Sequence, residues 1–408
     1  MKKFNLFLVV AVAALYSCDN DIYDNIKEMV DKEKVYPAGY DQTFVETNGS
    51  KAGNERVEID LYPRDAFGNR LSAAEMEQIL SKAKKTVVEY GDTLIRIDSV
   101  CSWVNITGLT IPNTYRFKIY TEDEHGNKSI PVEITGRPLM EEDKSALQVF
   151  TRIVATSASQ AIVFGAKTSD IYTVSSASYN YIDKNGALLS GETDAPIFTL
   201  RNLKVGQTTQ VNISYRLLPN GAVDPVLVAD TLEVTTLTQA ASDLYYSETQ
   251  PFPGQHIVSS ATSPCIIPAI DFDTGGEGKA FHENDNTLVG DTYRADNGDA
   301  NSAAVDVYTP YGWCIGWTSN GEWLIYTVEV VDEGIYSIEA AHVGNGRYHI
   351  ELDNANISGP VATSGGGDIS NYVWTMSVPR ISLAPGTYKI KWFVEAGNNY
   401  YGIRITKI

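Results

Sequence analysis

The sequence has few of the residues on which enzymatic sites and covalent cross-links depend. Its 408 residues include only four cysteines and five histidines, and no CxxC pair occurs. This scarcity argues against a disulfide framework and against a zinc site built on cysteines. A nucleophile elbow, an HExxH motif, a phosphate-binding loop and a dinucleotide fingerprint are also missing. The sequence therefore predicts a protein that is not an enzyme.

Three cysteines lie beyond the N-terminal segment, which is an odd number. In an oxidising compartment Cys265 and Cys314 could form one bridge, and Cys101 would then be left over. Three buried free thiols are an equal alternative, because free cysteine packs as a small apolar residue.

Positive charge is also scarce. The chain has 32 Lys and Arg residues against 51 Asp and Glu residues, so its formal net charge is −19. Such a surface repels the phosphates of nucleic acids and anionic lipid headgroups. We therefore expect neither nucleic acid nor a strongly anionic polysaccharide as a partner.

The N-terminus contains a basic pair, Lys2-Lys3, followed by a short apolar run from Phe4 to Leu15. The run is too short to span a bilayer as a mature helix. It ends in Ser17-Cys18 and resembles a bacterial lipoprotein signal, in which residues 1–17 are removed and Cys18 is lipidated. An ordinary secretory signal with an incidental cysteine is the alternative. Acyl chains on Cys18 would anchor the protein without a transmembrane helix.

The acidic segment Asp19-Asn20-Asp21 follows the cysteine directly. Acidic residues at this place resemble those of Bacteroidetes lipoproteins displayed on the cell surface. The predicted location is therefore the outer membrane, with a lipid anchor and exposure at the cell surface.

Patterning along the chain predicts an all-β protein. Residues 18–45 read as a tether, and the strands of 46–140 alternate apolar and polar residues as in an immunoglobulin or fibronectin III sandwich. One helix with capping-box spacing at Ser72 and Glu75 interrupts them, with an apolar face made by Met76, Ile79, Leu80 and Ala83. Residues 141–238 predict a second such sandwich, 239–262 a linker, and 263–408 a C-terminal β-jelly roll.

The C-terminal domain contains the most informative stretch, Gly316 to Val328. It contains two tryptophans, Trp317 and Trp323, beside a glycine turn between predicted strands. We expect Trp317 to be functional, whereas Trp323 and Trp392 fall in strand runs and are expected in the core. Together with Asp271–His282, Tyr293–Gly298, Leu383–Tyr388 and Asn398–Ile405, in this order, the stretch resembles family 6 carbohydrate-binding modules.

The resemblance covers roughly residues 266–408 and implies a jelly roll that binds glycans in a cleft at its loop end. A sugar ring is held there between two aromatic walls. By position, one wall falls on Trp317, the other falls on Tyr372 or Trp374, and an asparagine that hydrogen-bonds the hydroxyls falls on Asn399. The physics agrees, because the C–H face of a pyranose packs on an aromatic plane while amides bind its rim.

The resemblance also bears on metal. The family's structural calcium is held partly by a glutamate pair, and Pro268 and Ile270 occupy those positions here. The usual calcium site is therefore expected to be lost, and no other cofactor is predicted. Asp271 and Asp273 remain weak candidates, since loops rich in carboxylate oxygens can hold calcium.

The sequence as a whole predicts a non-catalytic surface lipoprotein that captures a poly- or oligosaccharide. It would resemble the binding lipoproteins of polysaccharide-utilisation systems, which serve an importer complex and glycoside hydrolases. The alternative is an adhesin or structural lipoprotein whose jelly roll has lost sugar binding. A hydrolase with an unrecognised carboxylate pair is a third, weaker idea.

Overall fold

A computed structural model describes residues 36–64, 67–140, 149–165, 172–284, 289–291, 293, 305–308 and 313–408. The predicted signal peptide, Cys18 and the first part of the predicted tether lie outside these residues. The protein is 51% strand and 7% helix, which confirms the all-β prediction. It divides into two compact units, residues 1–146 with 218–225, and residues 147–217 with 226–408. Within the described residues, no helix combines the length and apolarity needed to cross a bilayer.

The first unit is a two-layer sandwich. Its described elements are α1 (Gln42–Asn48), β1 (Ser50–Gly53), β2 (Arg56–Asp60), α2 (Ala73–Ile79), β3 (Lys85–Tyr90), β4 (Thr93–Ile97), β5 (Trp103–Thr107), β6 (Tyr115–Glu122) and β7 (Val132–Gly136). One sheet has the order β1-β2-β5 and the other β4-β3-β6-β7. Val57 and Ile59 of β2 face Phe117 and Ile119 of β6 across the core, so the predicted alternation is the one that forms.

Two segments of this unit differ from the expectations. The end of the predicted tether, 36–45, is packed, because Tyr40 and Val45 are buried and Tyr40 Oη lies 2.7 Å from Thr86 Oγ1. Helix α2 has the predicted capping box between Ser72 and Glu75. Ile79, however, is 51% exposed rather than part of the apolar face. The helix ends at Ile79 after two turns. The buried residues of the predicted apolar face are Leu80 and Ala83, which follow the helix.

The second unit begins with a sandwich of the same topology as the first. Its strands are β8 (Phe150–Ala155), β9 (Ala161–Gly165), β10 (Tyr172–Ile182), β11 (Leu188–Thr193), β12 (Ile197–Leu200), β13 (Thr208–Pro219) and β14 (Val226–Thr235). They form a β8-β9-β12 layer and a β11-β10-β13-β14 sheet, which is the order of the first unit shifted by seven strands. The turn predicted at Asp183-Lys184-Asn185-Gly186 joins β10 to β11, with Gly186 at positive φ.

The rest of the second unit is the C-terminal β domain. Its described elements are α3 (Gln239–Ser247), β15 (His256–Val258), β16 (Cys265–Pro268), β17 (Phe281–His282), β18 (Val307–Tyr308), β19 (Cys314–Ile315), β20 (Trp323–Val330), β21 (Gly334–Val343), β22 (Arg347–Leu352), β23 (Ala355–Asn356), β24 (Val361–Ala362), β25 (Val373–Leu383), β26 (Gly386–Ala396) and β27 (Asn399–Lys407). One layer contains β18-β19-β27-β21-β25 and the other β15-β20-β26-β22-β23. Buried aromatics fill the space between them, among them Phe272, Tyr326, Tyr336, Tyr388 and Trp392.

The segment predicted to be a linker is packed in this unit. Residues 239–262 contain helix α3, which Thr238 caps, and strand β15, which pairs in parallel with β20. Val258 is buried in the core of the C-terminal domain. The sequence signal failed here because a single short strand among polar residues leaves no apolar period to detect.

A cluster of buried charges ties the second sandwich, helix α3 and the C-terminal domain together. Lys389 is 1% exposed, and its ammonium donates to the Tyr245 carbonyl and lies 4.6 Å from the centre of the Tyr245 ring. Its backbone N–H donates to Asp353 Oδ1 at 2.8 Å. Arg201, from the loop after β12, lies 4.8 Å from the centre of the Tyr388 ring. We call Arg201, Tyr245, Asp353, Tyr388 and Lys389 the ionic clasp.

The backbone continues across the same boundary. Strand β12 pairs in parallel with β25 through Phe198 and Ser382, so one nine-stranded sheet runs from the sandwich into the C-terminal domain. Thr199 Oγ1 accepts from the Ala384 N–H at 2.9 Å. The two folds of the second unit are therefore joined by hydrogen bonds as well as by the clasp.

The three cysteines within the described residues are unbridged. Cys314 is buried and Cys101 and Cys265 are half-buried, and all three are free. Burial raises the pKa of the Cys265 and Cys314 thiols, which keeps them protonated and unreactive at neutral pH.

The clasp makes stability depend on pH in a defined direction. Burial raises the pKa of Asp353 to about 7, in spite of the backbone N–H that it accepts. Because the folded pKa lies above the unfolded value, the stabilisation is complete below about pH 4 and is lost as pH rises through about 7. Asp353→Asn cannot titrate. We therefore expect its free energy of unfolding in urea, relative to the unmodified protein, to rise between pH 4.5 and 8 by about 2 to 4 kcal/mol. A difference that stays constant with pH would contradict this reading.

Candidate functional site

The predicted site residues meet at one end of the sheet that contains β19, β27, β21 and β25. Strand β19 pairs with β27 through Ile315 and Tyr400, and it leads directly into Trp317. Strand β27 starts at Asn399, which pairs with Val343 at the end of β21. Tyr372 immediately precedes β25, the next strand across. We call this edge the loop end.

Trp317 projects from a constrained turn. Its φ is +47°, which is uncommon outside glycine, and the residue is 52% exposed. The ring of Tyr308 packs edge-on against its indole with centroids 5.5 Å apart. A Cβ atom at Gly290 would lie 3.1 Å from the indole, so the glycine leaves the space on which the indole rests. The aromatic surface that stays open faces solvent on a backbone held in one conformation.

Asn399 lies beside this turn. A Cβ atom at Gly316 would lie 3.3 Å from Asn399 Oδ1, so glycine at 316 lets the amide approach the backbone next to Trp317. The structure thus brings together Trp317 and Asn399, which the sequence resemblance places in one cleft. Asn399 itself is half-buried.

The two candidates for a second wall differ in what covers their rings. Tyr372 is 48% exposed and stacks on Tyr401 with centroids 4.8 Å apart and planes at 22°. Trp374 is half-buried, and the Arg404 guanidinium lies 4.4 Å from the centre of its ring. Arg404 is held there by Glu339, at 2.7 Å. Each ring therefore has one face covered, Trp374 by a cation and Tyr372 by another ring, and Tyr372 is the more exposed of the two.

Asn398 organises the loop end, a role that no local sequence pattern predicts. It is 8% exposed; its Nδ2 donates to Thr363 Oγ1 at 2.9 Å, and its carbonyl accepts from Thr318 Oγ1 at 2.6 Å. Its Oδ1 also accepts from the Asn399 N–H at 3.0 Å. Asn398 thus joins the turn after Trp317 through its backbone, and the segment at Thr363 and the start of β27 through its side chain. Only contacts across the chain could have revealed this role, because asparagine pairs are also common in plain turns.

A second aromatic surface lies on the outer face of the other sheet. His282, Trp323, Phe393 and His349 occupy consecutive positions across β17, β20, β26 and β22. The rings of His349 and Phe393 stack with centroids 4.7 Å apart, and the Lys391 ammonium lies 5.1 Å from the centre of the Trp323 ring. We call this set the sheet row. It forms a continuous band of ring surface edged by charge.

The sheet row corrects the expectation for Trp323. That side chain is half-buried on the outer face, whereas Trp392 is 1% exposed and confirms its predicted place in the core. The sequence contained the signal, because Leu324 and Tyr326 face inward and the period of a strand turns Trp323 outward.

His349 in the sheet row is held between two carboxylates. Its Nδ1 lies 2.8 Å from Glu395 Oε1 and its Nε2 lies 3.3 Å from Glu351 Oε1. Burial lowers the pKa of His349, but the hydrogen bonds and charges of both glutamates outweigh it, and the pKa is raised. The band therefore keeps the positive charge of His349 to a higher pH than a free histidine would.

The weak calcium candidates have other partners. Asp273 is fully buried, and its carboxylate accepts from the Thr249 hydroxyl at 2.7 Å and from the N–H and hydroxyl of Thr327. Asp271 accepts from Tyr293 Oη at 2.9 Å. Ile270 packs in the core. Among the residues that the structure describes, no group of three or more His, Cys, Asp and Glu side chains is arranged to hold a metal ion. These residues do not fit a calcium ion.

No family model matches the chain, and no curated protein matches it. Several solved structures are similar to parts of it. The C-terminal CBM6 of LamC, a marine laminarinase from Zobellia galactanivorans, is 26% identical over 24% of this chain and 81% of its own, with a TM-score of 0.21. A carbohydrate-binding module of Cellvibrio mixtus lichenase 5A, in complex with cellotriose, is 18% identical over 36% and 98%, with a TM-score of 0.25. CsCBM6-3 from Clostridium stercorarium, in complex with cellobiose, is 14% identical over 38% and 99%, with a TM-score of 0.26. With TM-scores this low, the chemistry of the loop end has to be judged from its own side chains.

Removal of divalent cations should leave the protein's stability nearly unchanged. The carboxylate of Asp273 already accepts from hydroxyl and N–H donors, so we expect no ion there for a chelator to withdraw. We expect the thermal midpoint in excess EDTA to match the midpoint in added calcium, as measured by differential scanning calorimetry. A large drop in EDTA would show a calcium site that this donor set does not reveal.

Proposed function

We propose that the loop end of the second unit binds a glycan by stacking a sugar ring on Trp317. The observation that carries the proposal is a half-exposed indole on a turn of positive φ, next to the amide of the half-buried Asn399. The C–H face of a pyranose is apolar and its rim is polar, so it matches a ring beside an amide. An indole held by its backbone loses little conformational entropy when a ligand binds.

Tyr372 is proposed as the second wall. Its ring is supported from behind by Tyr401 and remains 48% exposed, while Trp374 has one face against Arg404. Trp374 then acts by supporting the rim. Asn399 is proposed to bind the sugar hydroxyls, and Asn398 holds Asn399 and Thr318 in place.

The whole chain is proposed to be a non-catalytic lipoprotein of the outer membrane, anchored through Cys18 and exposed at the cell surface. The lipoprotein-like sequence around Cys18 supports the anchor, and the net charge of −19 makes a neutral glycan a better partner than an anionic one. A single open site binds a sugar weakly, because water competes for its hydrogen bonds. Many copies on one membrane would supply avidity for a polysaccharide and could pass it to an importer complex or glycoside hydrolases.

The second candidate function is an adhesin or structural lipoprotein without sugar binding. The occupied face of Trp374 and the replacement of the family's calcium ligands by Pro268 and Ile270 favour it. Affinity electrophoresis against a broad panel of polysaccharides separates the two functions, since retention of the unmodified protein by none of them would favour the adhesin.

Substitution of the stacking residues tests the site itself. We expect Trp317→Ala to abolish retention in affinity electrophoresis, and Tyr372→Ala to weaken binding more than Trp374→Ala does. The matched control is Trp103→Ala, which removes an indole that is 57% exposed in the first unit and should change nothing. If Trp317→Ala and Trp103→Ala bind the glycan equally well, Trp317 is not a wall of the site.

The anchor has an independent test. A strain that expresses the full chain should incorporate labelled palmitate into the protein, and Cys18→Ser should not. The unmodified protein should also partition into the detergent phase of Triton X-114, because two or more acyl chains give stable anchoring. Secretion of both forms without label would support the ordinary secretory signal instead.

A further inference from the structure

A polar groove of about 460 Å³ opens in the second unit, away from the loop end. Its walls come from three places: the loop 157–160 of the sandwich, helix α3 with the segment 249–255, and the strand residues Thr327 and Thr387 of the C-terminal domain. Its volume falls within the range of small-molecule sites. We call it the amide groove, after the side chains of Gln160, Gln239, Gln250 and Gln255 that line it.

The lining is neutral throughout. Apart from Ala158, Pro251 and Tyr246, the described residues that line the groove have amide or hydroxyl side chains. None of the described lining residues carries a charge. An ionic ligand would find no counter-charge there, and an apolar one would leave the polar groups without partners. Amides and hydroxyls both donate and accept hydrogen bonds, as sugar hydroxyls do. The chemistry therefore fits an uncharged polyhydroxy ligand.

Some of these polar atoms are set to accept hydrogen bonds. The Oε1 atom of Gln160 is buried from solvent and has no hydrogen-bond partner. The Thr249 hydroxyl donates to Asp273, and the Thr387 hydroxyl donates to Glu329 Oε2 at 2.7 Å. Each hydroxyl proton is thereby fixed, so its oxygen is left as an acceptor. A ligand O–H would find an acceptor at the half-buried Thr387 hydroxyl, and it reaches Gln160 Oε1 only when that side chain turns outward, which would also relieve the cost of its missing partner.

The groove is also preformed. Its walls belong to the sandwich, α3 and the C-terminal domain, which the ionic clasp and the β12–β25 pairing join. Thr327 is fixed by Asp273, and Thr249 is fixed by the same carboxylate. Little ordering is therefore required when a ligand enters.

The amide groove and the loop end are far apart on the same strand. Thr387 lies near the start of β26, whereas Ala396, at the end of β26, leads into the loop that contacts Thr318. At ~3.3 Å per residue, nine residues separate them by roughly 30 Å. One short oligosaccharide cannot reach both places, so each must bind its own ligand.

We infer that the amide groove is a second binding site for an uncharged saccharide, independent of the stacking site at the loop end. The inference takes its ligand class from the proposed function. A polysaccharide chain that is long enough would bind both sites. Two weak contacts to one chain give a higher overall affinity than either contact alone.

The test uses the full chain after signal removal and measures hydrogen–deuterium exchange with neutral trisaccharides, cellotriose among them. We expect protection in two places, the segments 157–160 with 249–255, and the loop end. Gln160→Leu combined with Gln255→Ala should remove the first protection and keep the second, while Trp317→Ala should do the reverse. The matched control is Gln210→Ala, an exposed glutamine on β13 outside the groove.

The outcomes separate the two proposals. Protection confined to the loop end, or groove protection that survives Gln160→Leu with Gln255→Ala, would overturn the amide groove alone. Protection confined to the groove and indifferent to Trp317→Ala would overturn the loop-end site alone. If no trisaccharide protects either place at millimolar concentration, both assignments fail.

Discussion

The backbone pairing of β27 with β19 on one side and β21 on the other is the constraint on which the site depends. It places Trp317, Asn399 and Tyr372 at one edge, although 82 residues separate the first two in sequence. The pairing is secured from within, because Tyr400 faces inward and packs on Trp392 with ring centroids 4.4 Å apart. Asn398 then fixes the turns above it by hydrogen bonds. The exposed chemistry therefore rests on a buried aromatic layer and one buried amide.

Rigidity is the property that links the parts of the second unit. The ionic clasp and the shared sheet hold the second sandwich and the C-terminal β domain together, where a flexible linker would let them move independently. A protein that binds its ligand weakly gains from such rigidity. If the site had to become ordered on binding, the entropy cost would subtract from an affinity that is already low. Lys389 donates to the Tyr245 carbonyl, Asp353 Oδ1 accepts a backbone N–H and Arg201 lies over the Tyr388 ring, whereas Asp353 Oδ2 and two Arg201 nitrogens are buried without a hydrogen-bond partner.

Much of the fold followed from local patterns in the sequence. The alternation of Val57 and Ile59, the turn at Asp183–Gly186 and the capping box at Ser72 are each decided by a few neighbouring residues. What the sequence did not reveal depends on distant contacts. The packing of 239–262, the choice between Tyr372 and Trp374 through Arg404, and the role of Asn398 all require knowing which segments meet. Trp323 is a different case, because its outward position follows from strand periodicity alone.

The central claim is that a sugar ring lies flat on the indole of Trp317. Saturation-transfer difference NMR tests it most directly, because saturation passes from the protein to the ligand protons that touch it. With a polysaccharide fragment that the protein retains, the account predicts strong transfer to the C–H protons of one ring face. The transfer should be weakened in Trp317→Phe, which keeps an aromatic ring, and lost in Trp317→Ala. Equal transfer to all ring protons that persists in Trp317→Ala would contradict it.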